Sequence, residues 1–355
     1  MKKILLKINY FLFLTLFIFS LPTYATLYED AEDGDTQGDT PANVRGWFVY
    51  DNDPEGSIIS NVYDEDKQSR VINFNGPDNT GNGYMLGDWH PNSAGTWNNT
   101  NEFNVHWCAK YSSNYVVYMR VYTNKDNGTT DGEQRYIYYT AVDNDRGLSS
   151  SNKDYIHHGI GTIRSNGEWH SINRNLQVDL DDYDIEGNDI YSVVGFLIRG
   201  NGRVDDIYLT KEPLKPNIQF TKTSSTISDP INATNNPKRI PSSVVEYTLK
   251  ANNIGYGEVS SNSLVIEDSI STKLKMCVAD KAECKKPYLA SNTTHTLDIA
   301  TIKYKINGVW ETDPTADAEG YNTLVTDIRI ETTGMFPGYC GTERSFEIKF
   351  RVGVK

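Results

Sequence analysis

Apolar residues in this chain alternate with polar ones over short runs, and clusters of Gly, Asn and Asp separate the runs. In residues 115–123, Val117, Met119 and Val121 form one apolar series, while Tyr118, Arg120 and Tyr122 form the intervening one. The same period of two runs through 135–141, through 154–158, and around Val194, Phe196 and Ile198. Side chains on a strand point alternately to opposite faces, so the pattern predicts strands whose inner and outer residues can be told apart. No amphipathic stretch with a 3.6-residue repeat exceeds a turn or two, so an all-β fold is expected. The 23 tyrosines suit it, because aromatic side chains pack well on pleated surfaces.

The prolines at 213 and 216 break the pattern and predict a linker over 213–216. One domain is expected over 27–212 and a second over 217–355. Strands predicted at 243–251, 263–266, 299–306, 324–331 and 345–352 give the second domain the order of an antiparallel, immunoglobulin-type sandwich.

The N-terminus reads Met1-Lys-Lys, an apolar stretch from about Tyr10 to Leu21, then Pro22-Thr-Tyr-Ala25. This is the pattern of a secretory signal peptide cleaved after Ala25, and its apolar core is short for a bilayer span. No later stretch is apolar enough to span, and the chain ends on an alternating strand without a hydrophobic tail. The expected product is exported, free or held at the surface by an anchoring partner. Cleavage leaves 330 of the 355 residues and takes Lys2, Lys3 and Lys7 with it, so the formal charge moves from −13 to −16. Such a balance excludes nucleic acid, which needs a basic footprint. It disfavours anionic polysaccharides unless a local basic patch or bound calcium offsets the field, and favours neutral glycans.

All four cysteines lie beyond the cleavage point, and export makes pairing plausible. Cys277 and Cys284 are close enough in sequence to clip a local loop, although Cys340 could replace either, and Cys108 is expected as a buried free thiol. There is no C-x-x-C and no nearby histidine pair, so zinc is not indicated.

Alternation also nominates a binding face. Tyr118, Arg120 and Tyr122 share one side of their strand. The next strands contribute Tyr136 with Tyr138 and Tyr155 with His157, and Arg199 follows with Leu197 on the side away from Phe196 and Ile198. Aromatic faces pack on the C–H side of a sugar ring, while Arg, His and Asn bond its hydroxyls, so these residues suit a polysaccharide or cell-surface glycan. The competing reading is that the tyrosines clad the outside of the sandwich. Trp89-His90 and Trp97 are expected on loops, as a second, edge-type platform or as caps of the sandwich, and Trp107 in the core.

The strings Tyr28-Glu-Asp-Ala-Glu-Asp33, Gly46-Trp47, Arg135-Tyr-Ile-Tyr-Tyr139, Tyr155-Ile-His-His-Gly-Ile-Gly161, Phe196-Leu-Ile-Arg-Gly200 and Arg203-Val-Asp-Asp-Ile207 resemble the galactose-binding-like jelly rolls attached to secreted polysaccharide-degrading and surface proteins. The resemblance covers about half of the chain. It implies a jelly-roll β-sandwich whose opening and closing strands lie side by side, with a structural calcium held by Glu29, Glu32 or Asp33 and by Asp205 or Asp206. Strict alternation puts Asp205 on the inward side with Ile207 and Leu209, making it the expected closing-strand ligand. The alternative is a solvated acidic edge that discourages sheet-to-sheet aggregation. A separate string, Asp51-Asn-Asp-Pro-Glu-Gly56, matches the start of a calcium loop, but Val62 stands where a bidentate acid is required, so it reads as a turn.

In the second domain, Lys222-Thr223, Ser228-Asp-Pro230, Asn236-Pro-Lys-Arg-Ile-Pro241, Val245-Glu-Tyr247, Asn252-Asn-Ile-Gly255 and Ile266-Glu-Asp268 resemble the immunoglobulin-like conserved repeat of bacterial surface proteins. The family usually has Gly where this chain has Ser242. The resemblance implies a spacer or adhesive unit with no catalytic residues.

Hydrolase signatures are absent: there is no G-x-S-x-G, no H-E-x-x-H and no P-loop. The enzyme alternative is a polysaccharide lyase with Tyr155 or His157 as base and Arg199 against a uronate carboxylate, which the acidic charge opposes. Two facing carboxylates for a glycosidase cannot be read from abundance. The sequence thus predicts an exported glycan-binding or adhesin-like protein. A lyase and a purely structural surface or matrix component are the competing readings.

Overall fold

The computed structural model describes the backbone of residues 4–7 and, in full, residues 25–36, 46–78, 81–87, 97–129, 131–294, 296–341 and 343–355. Trp89 and His90 lie outside the described residues. Strand dominates. The helices among the described residues are α1 (Leu176–Asp181) and one 3-10 turn (Thr162–Ser165), so the all-β expectation holds, and none of them is long and apolar enough to cross a membrane. The chain divides into two compact units. The first takes the described residues between 25 and 215 together with 339–341, and the second takes Pro216–Gly338, Glu343–Lys355 and the strand β1 (Ile4–Lys7).

Strands of the first unit are β2 (Ala25–Glu29), β3 (Phe48–Asp51), β4 (Ile58–Asp64), β5 (Ser69–Asn75), β6 (Gly83–Gly87), β7 (Asn104–Lys110) and β8 (Val116–Thr123). They continue with β9 (Gln134–Thr140), β10 (Gly147–Leu148), β11 (Tyr155–Gly159), β12 (Trp169–Asn175), β13 (Ile190–Arg199) and β14 (Gly202–Thr210). A seven-stranded sheet runs β10-β11-β9-β8-β13-β6-β3, and a six-stranded sheet runs β12-β7-β14-β5-β4 with β2 on β14. Val117, Met119, Val121, Ile137, Tyr139, Phe196 and Ile198 of the first sheet meet Ile72, Phe74, Trp107, Ala109, Val204, Ile207 and Leu209 of the second in one buried cluster. Each such aliphatic or aromatic side chain contributes roughly 1.5–3 kcal/mol of burial, which is what holds the sheets face to face. The opening and closing strands are neighbours, with Glu29 opposite Ile207.

One irregularity changes the reading of the closing strand. Asp206 adopts φ +53°, and the register of β14 on β7 jumps between Asp205 and Tyr208, a β-bulge. The extra residue resets the alternation, so Val204 and Ile207 both face the core and Asp205 faces away.

The second unit holds β15 (Ile218–Ser228), β16 (Val244–Asn253), β17 (Leu264–Ser269), β18 (Leu274–Cys277), β19 (Tyr288–Asn292), β20 (Asp298–Ile306), β21 (Val309–Glu311), β22 (Tyr321–Asn322), β23 (Val325–Thr333) and β24 (Arg344–Val354). Its sheets run β1-β17-β23-β20-β21 and β15-β16-β24-β18-β22, with β19 on β24. β1, within the segment expected to be cleaved, pairs in parallel with Leu264 to Glu267. Leu249, Ala251, Phe346, Ile348 and Phe350 of one sheet pack on Leu264, Ile266, Tyr304, Ile328 and Ile330 of the other. Lys222 of β15 donates to both oxygens of Asp268 on β17, at 2.8 and 2.6 Å. Ser242 stands at φ +67°, a backbone region that favours glycine.

The cysteines are all paired. Cys277 bonds Cys284, and Cys108 bonds Cys340 across 232 residues. Cys108 is therefore not the free thiol expected from the sequence, because residues 339–341 fold with the first unit and bring Cys340 to it.

Candidate functional site

The residues nominated as a binding face come from four strands of the seven-stranded sheet. Their neighbours Val117, Met119, Ile137, Tyr139, Ile156, Phe196 and Ile198 occupy the core, so Tyr118, Arg120, Tyr122, Tyr136, Tyr138, Tyr155, His157 and Arg199 project from the opposite side. The register aligns them in rows. One row reads His157, Tyr138, Tyr118, Leu197, Met85 and Phe48 across β11, β9, β8, β13, β6 and β3. The next reads Tyr155, Tyr136, Arg120 and Gly195. A third places Arg199 opposite Val116 and Gly83, with Asp51 beyond.

The tyrosines are stacked on one another. The rings of Tyr118 and Tyr138 lie 5.3 Å apart at 22°, and those of Tyr136 and Tyr155 lie 4.7 Å apart at 21°. Rings this close cannot lie side by side in one plane, so they stack and each spends one face on its neighbour. Tyr122 stacks in the same way on Tyr191, at 5.9 Å. The flat faces expected from the sequence for sugar stacking are thus reduced by this pairing.

Three of the eight residues are committed to the protein. Arg120, 1% exposed, donates from Nε to Gln134 Oε1 at 2.6 Å and from Nη2 to the Tyr122 hydroxyl at 3.1 Å. His157 is fully buried, with Nε2 2.7 Å from Thr140 Oγ1 and Nδ1 accepting the Arg146 amide at 3.0 Å. Burial, and then the charge of Arg146, hold its pKa below the ordinary histidine value, so the ring is neutral. Arg199 pairs with Asp51 Oδ2 at 2.9 Å and donates to the Gly81 carbonyl. The lyase constellation fails on the same contacts. His157 has no free nitrogen, Arg199 already has its carboxylate, and burial raises the Tyr155 hydroxyl above its ordinary pKa instead of activating it.

Tyr118, Tyr138 and Tyr155 remain half-buried at the surface of the face. The charges that raise Tyr155 after burial are those of Tyr118 and then Tyr50. Tyr50 belongs to β3, at the other end of the same sheet from β11. Tyr50, 41% exposed, is an aromatic residue of that strand that sequence reasoning did not nominate.

The proposed calcium ligands do not converge. Glu29 is fully buried, accepting from Trp47 Nε1 at 2.7 Å and from the Ala31 amide at 2.7 Å. Glu32 and Asp33 are exposed, and Asp33 Oδ1 caps the Asp35 amide at 3.0 Å. Asp205, turned to the other side by the bulge, pairs with the buried ammonium of Lys67, which also lies 2.7 Å from Asp206. A lysine thus supplies the cation, and these five residues do not fit a calcium cage. Among the described residues, His158, Asp179 and Asp182 also come together, but both oxygens of Asp179 already accept from Arg174. The Asp51–Gly56 string is a turn, in which Asn52 Oδ1 accepts the amides of Gly56 and Ser57. Trp97 belongs to no platform. It is 2% exposed, with its ring 3.7 Å from that of Tyr28.

No protein-family model matches the chain, and no curated protein does. Among solved structures, it is similar to the Clostridium thermocellum xylanase 10B CBM22-1 and GH10 modules complexed with xylohexaose. That match has 12% identity and a TM-score of 0.29, covering 54% of this chain and 29% of that one. An exo-beta-agarase matches at 9% identity and TM-score 0.24, over 55% and 25% of the respective chains. CtCBM11 matches at 16% and 0.25, over 53% and 95%. This chain thus spans under a third of the first two. At such identities and TM-scores the likenesses carry no argument about its function, which rests on its own residues.

Proposed function

We propose that this is an exported glycan-binding protein whose tyrosine-lined face on the seven-stranded sheet takes a neutral polysaccharide or cell-surface glycan. Its second unit serves as spacer or as the attachment to a surface-anchoring partner. The observation that carries the reading is the convergence of Tyr118, Tyr138 and Tyr155 from three adjacent strands. Phenol hydroxyls both donate and accept, which matches a chain of sugar hydroxyls. The raised tyrosine pKa values keep these hydroxyls protonated at physiological pH. Arg199 is neutralised by Asp51, and the Arg120 guanidinium is buried with donors on Gln134 and Tyr122, which favours a neutral ligand over a uronate.

The ring-on-ring stacking favours a second reading, in which the tyrosines are cladding and the protein is a structural surface component. A glycan array followed by calorimetry separates them. Binding to neutral glycans that falls in Tyr118→Ala and Tyr138→Ala supports the tyrosine face, and an empty array leaves the structural reading.

A further inference from the structure

The second unit contains a cavity of about 420 Å³ lined by Asp280, Lys285, Lys286, Pro287, Tyr288 and Arg351. Its size falls within the range of small-molecule sites. The backbone carrying the lysines is pinned. Cys277–Cys284 closes the preceding loop, the Arg351 amide donates to the Lys285 carbonyl at 3.0 Å, and the Lys286 amide donates to Asp280 Oδ1 at 3.1 Å. Arg351 is itself held, with Nε 2.9 Å from Glu246 Oε2 and Nη1 2.9 Å from the Glu283 carbonyl. A ligand entering would find the backbone of the rim already ordered, which reduces the entropic cost of binding.

Lys285 and Lys286 have no acidic partner among the described residues, although acids outnumber bases by 47 to 34 in the chain. Both lysines line the pocket, and an anion entering it gains the attraction of ammonium groups that no carboxylate already holds. Tyr288, 38% exposed, shows no ring partner among the described residues. It keeps a face for the C–H side of a sugar ring. Asp280 adds an acceptor for hydroxyls.

We propose that this cavity binds an anionic saccharide of the uronate class, with Lys285 and Lys286 on the carboxylate, Tyr288 under the ring and Asp280 on a hydroxyl. The second unit then carries a recognition site of its own, for a ligand opposite in character to that of the tyrosine face.

The test is calorimetry on the full chain with tri-galacturonate, galactotriose and inorganic phosphate at low and high salt, with melting curves as the folding control. Tri-galacturonate is expected to bind, to weaken as salt screens the lysines, and to lose at least about tenfold in affinity in K285A/K286A and in Tyr288→Ala. Galactotriose is expected not to bind at this site. The proposal is overturned if tri-galacturonate does not bind, or if it binds these variants as well as it binds the wild type. Displacement by phosphate alone, with no dependence on Tyr288, would mean a simple anion site and would overturn it equally. The reading of the tyrosine face fails independently, since it is measured with neutral glycans and Tyr118 and Tyr138 variants that leave the lysines in place.

Discussion

Lys67 lies buried against Asp205, 138 residues away in sequence, and its ammonium touches Asp206 as well. The lysine is 7% exposed. Burial alone would push its pKa down, but the charges of Asp206 and Asp205 reverse this and raise it, so it stays charged. Removing it leaves two adjacent carboxylates with no cation. Lys67→Met is expected to destabilise the first unit by about 3–5 kcal/mol, as breaking a buried pair does. In contrast, a chelator should leave the wild-type melting temperature unchanged. A fall in that temperature with EDTA would restore a resident metal to the account.

His106 supplies a pH dependence. It is 1% exposed, its Nδ1 lies 3.0 Å from Asn173 Oδ1, and its ring stacks 5.5 Å from Tyr208. Burial, opposed by the charge of Asp206, brings its pKa down to about 4. The unfolded value is about 6.5, so the unfolded chain takes up the proton first. Stability is then fully present above about pH 6.5 and is lost as the pH falls toward 4, by roughly 3 kcal/mol. Denaturant unfolding across that window should show the slope, and His106→Gln should flatten it. An unchanged slope in the variant would assign the dependence to other groups.

The Cys108–Cys340 bond closes a very long loop. Peptide mapping without reduction is expected to recover Cys108 joined to Cys340 and Cys277 joined to Cys284, with no free thiol. Cys340→Ser should lower stability by about 2–5 kcal/mol and expose residues 339–341 to proteases. Recovery of Cys108 as a free thiol would reinstate the expectation drawn from the sequence.

Ser242 at φ +67° pays for a conformation that glycine adopts freely. Ser242→Gly is expected to stabilise the second unit by up to about 1 kcal/mol, seen as a higher melting temperature. A lower one would mean that the serine side chain outweighs the backbone strain.

On the tyrosine face, Tyr118→Ala and Tyr138→Ala each remove one member of a stacked pair and one hydroxyl. Affinity for a neutral glycan is expected to fall about tenfold or more in each, while far-UV circular dichroism stays unchanged. Equal affinity in both variants would move the binding site elsewhere.

Strand parity is local, and that is why the sides of β8, β9, β11 and β13 could be told apart in the sequence. Val117, Met119 and Val121 pointed one way, so Tyr118 and Arg120 pointed the other. The same reasoning misplaced Asp205, because the bulge at Asp206 comes from how β14 pairs with β7 and β2, which no single segment reveals. Arg120 and His157 were nominated as ligand contacts, yet both are occupied by neighbours that only packing supplies.

By itself, the alternation of apolar and polar residues determined an all-β chain and assigned its tyrosines to a common side, since pleating is a property of each strand alone. The tertiary structure decided the rest: that Lys67 meets Asp205, that Cys340 reaches Cys108, and that the tyrosine rings stack on one another. Each of these joins residues far apart in the chain, and a contact between distant segments exists only once the sheets have closed.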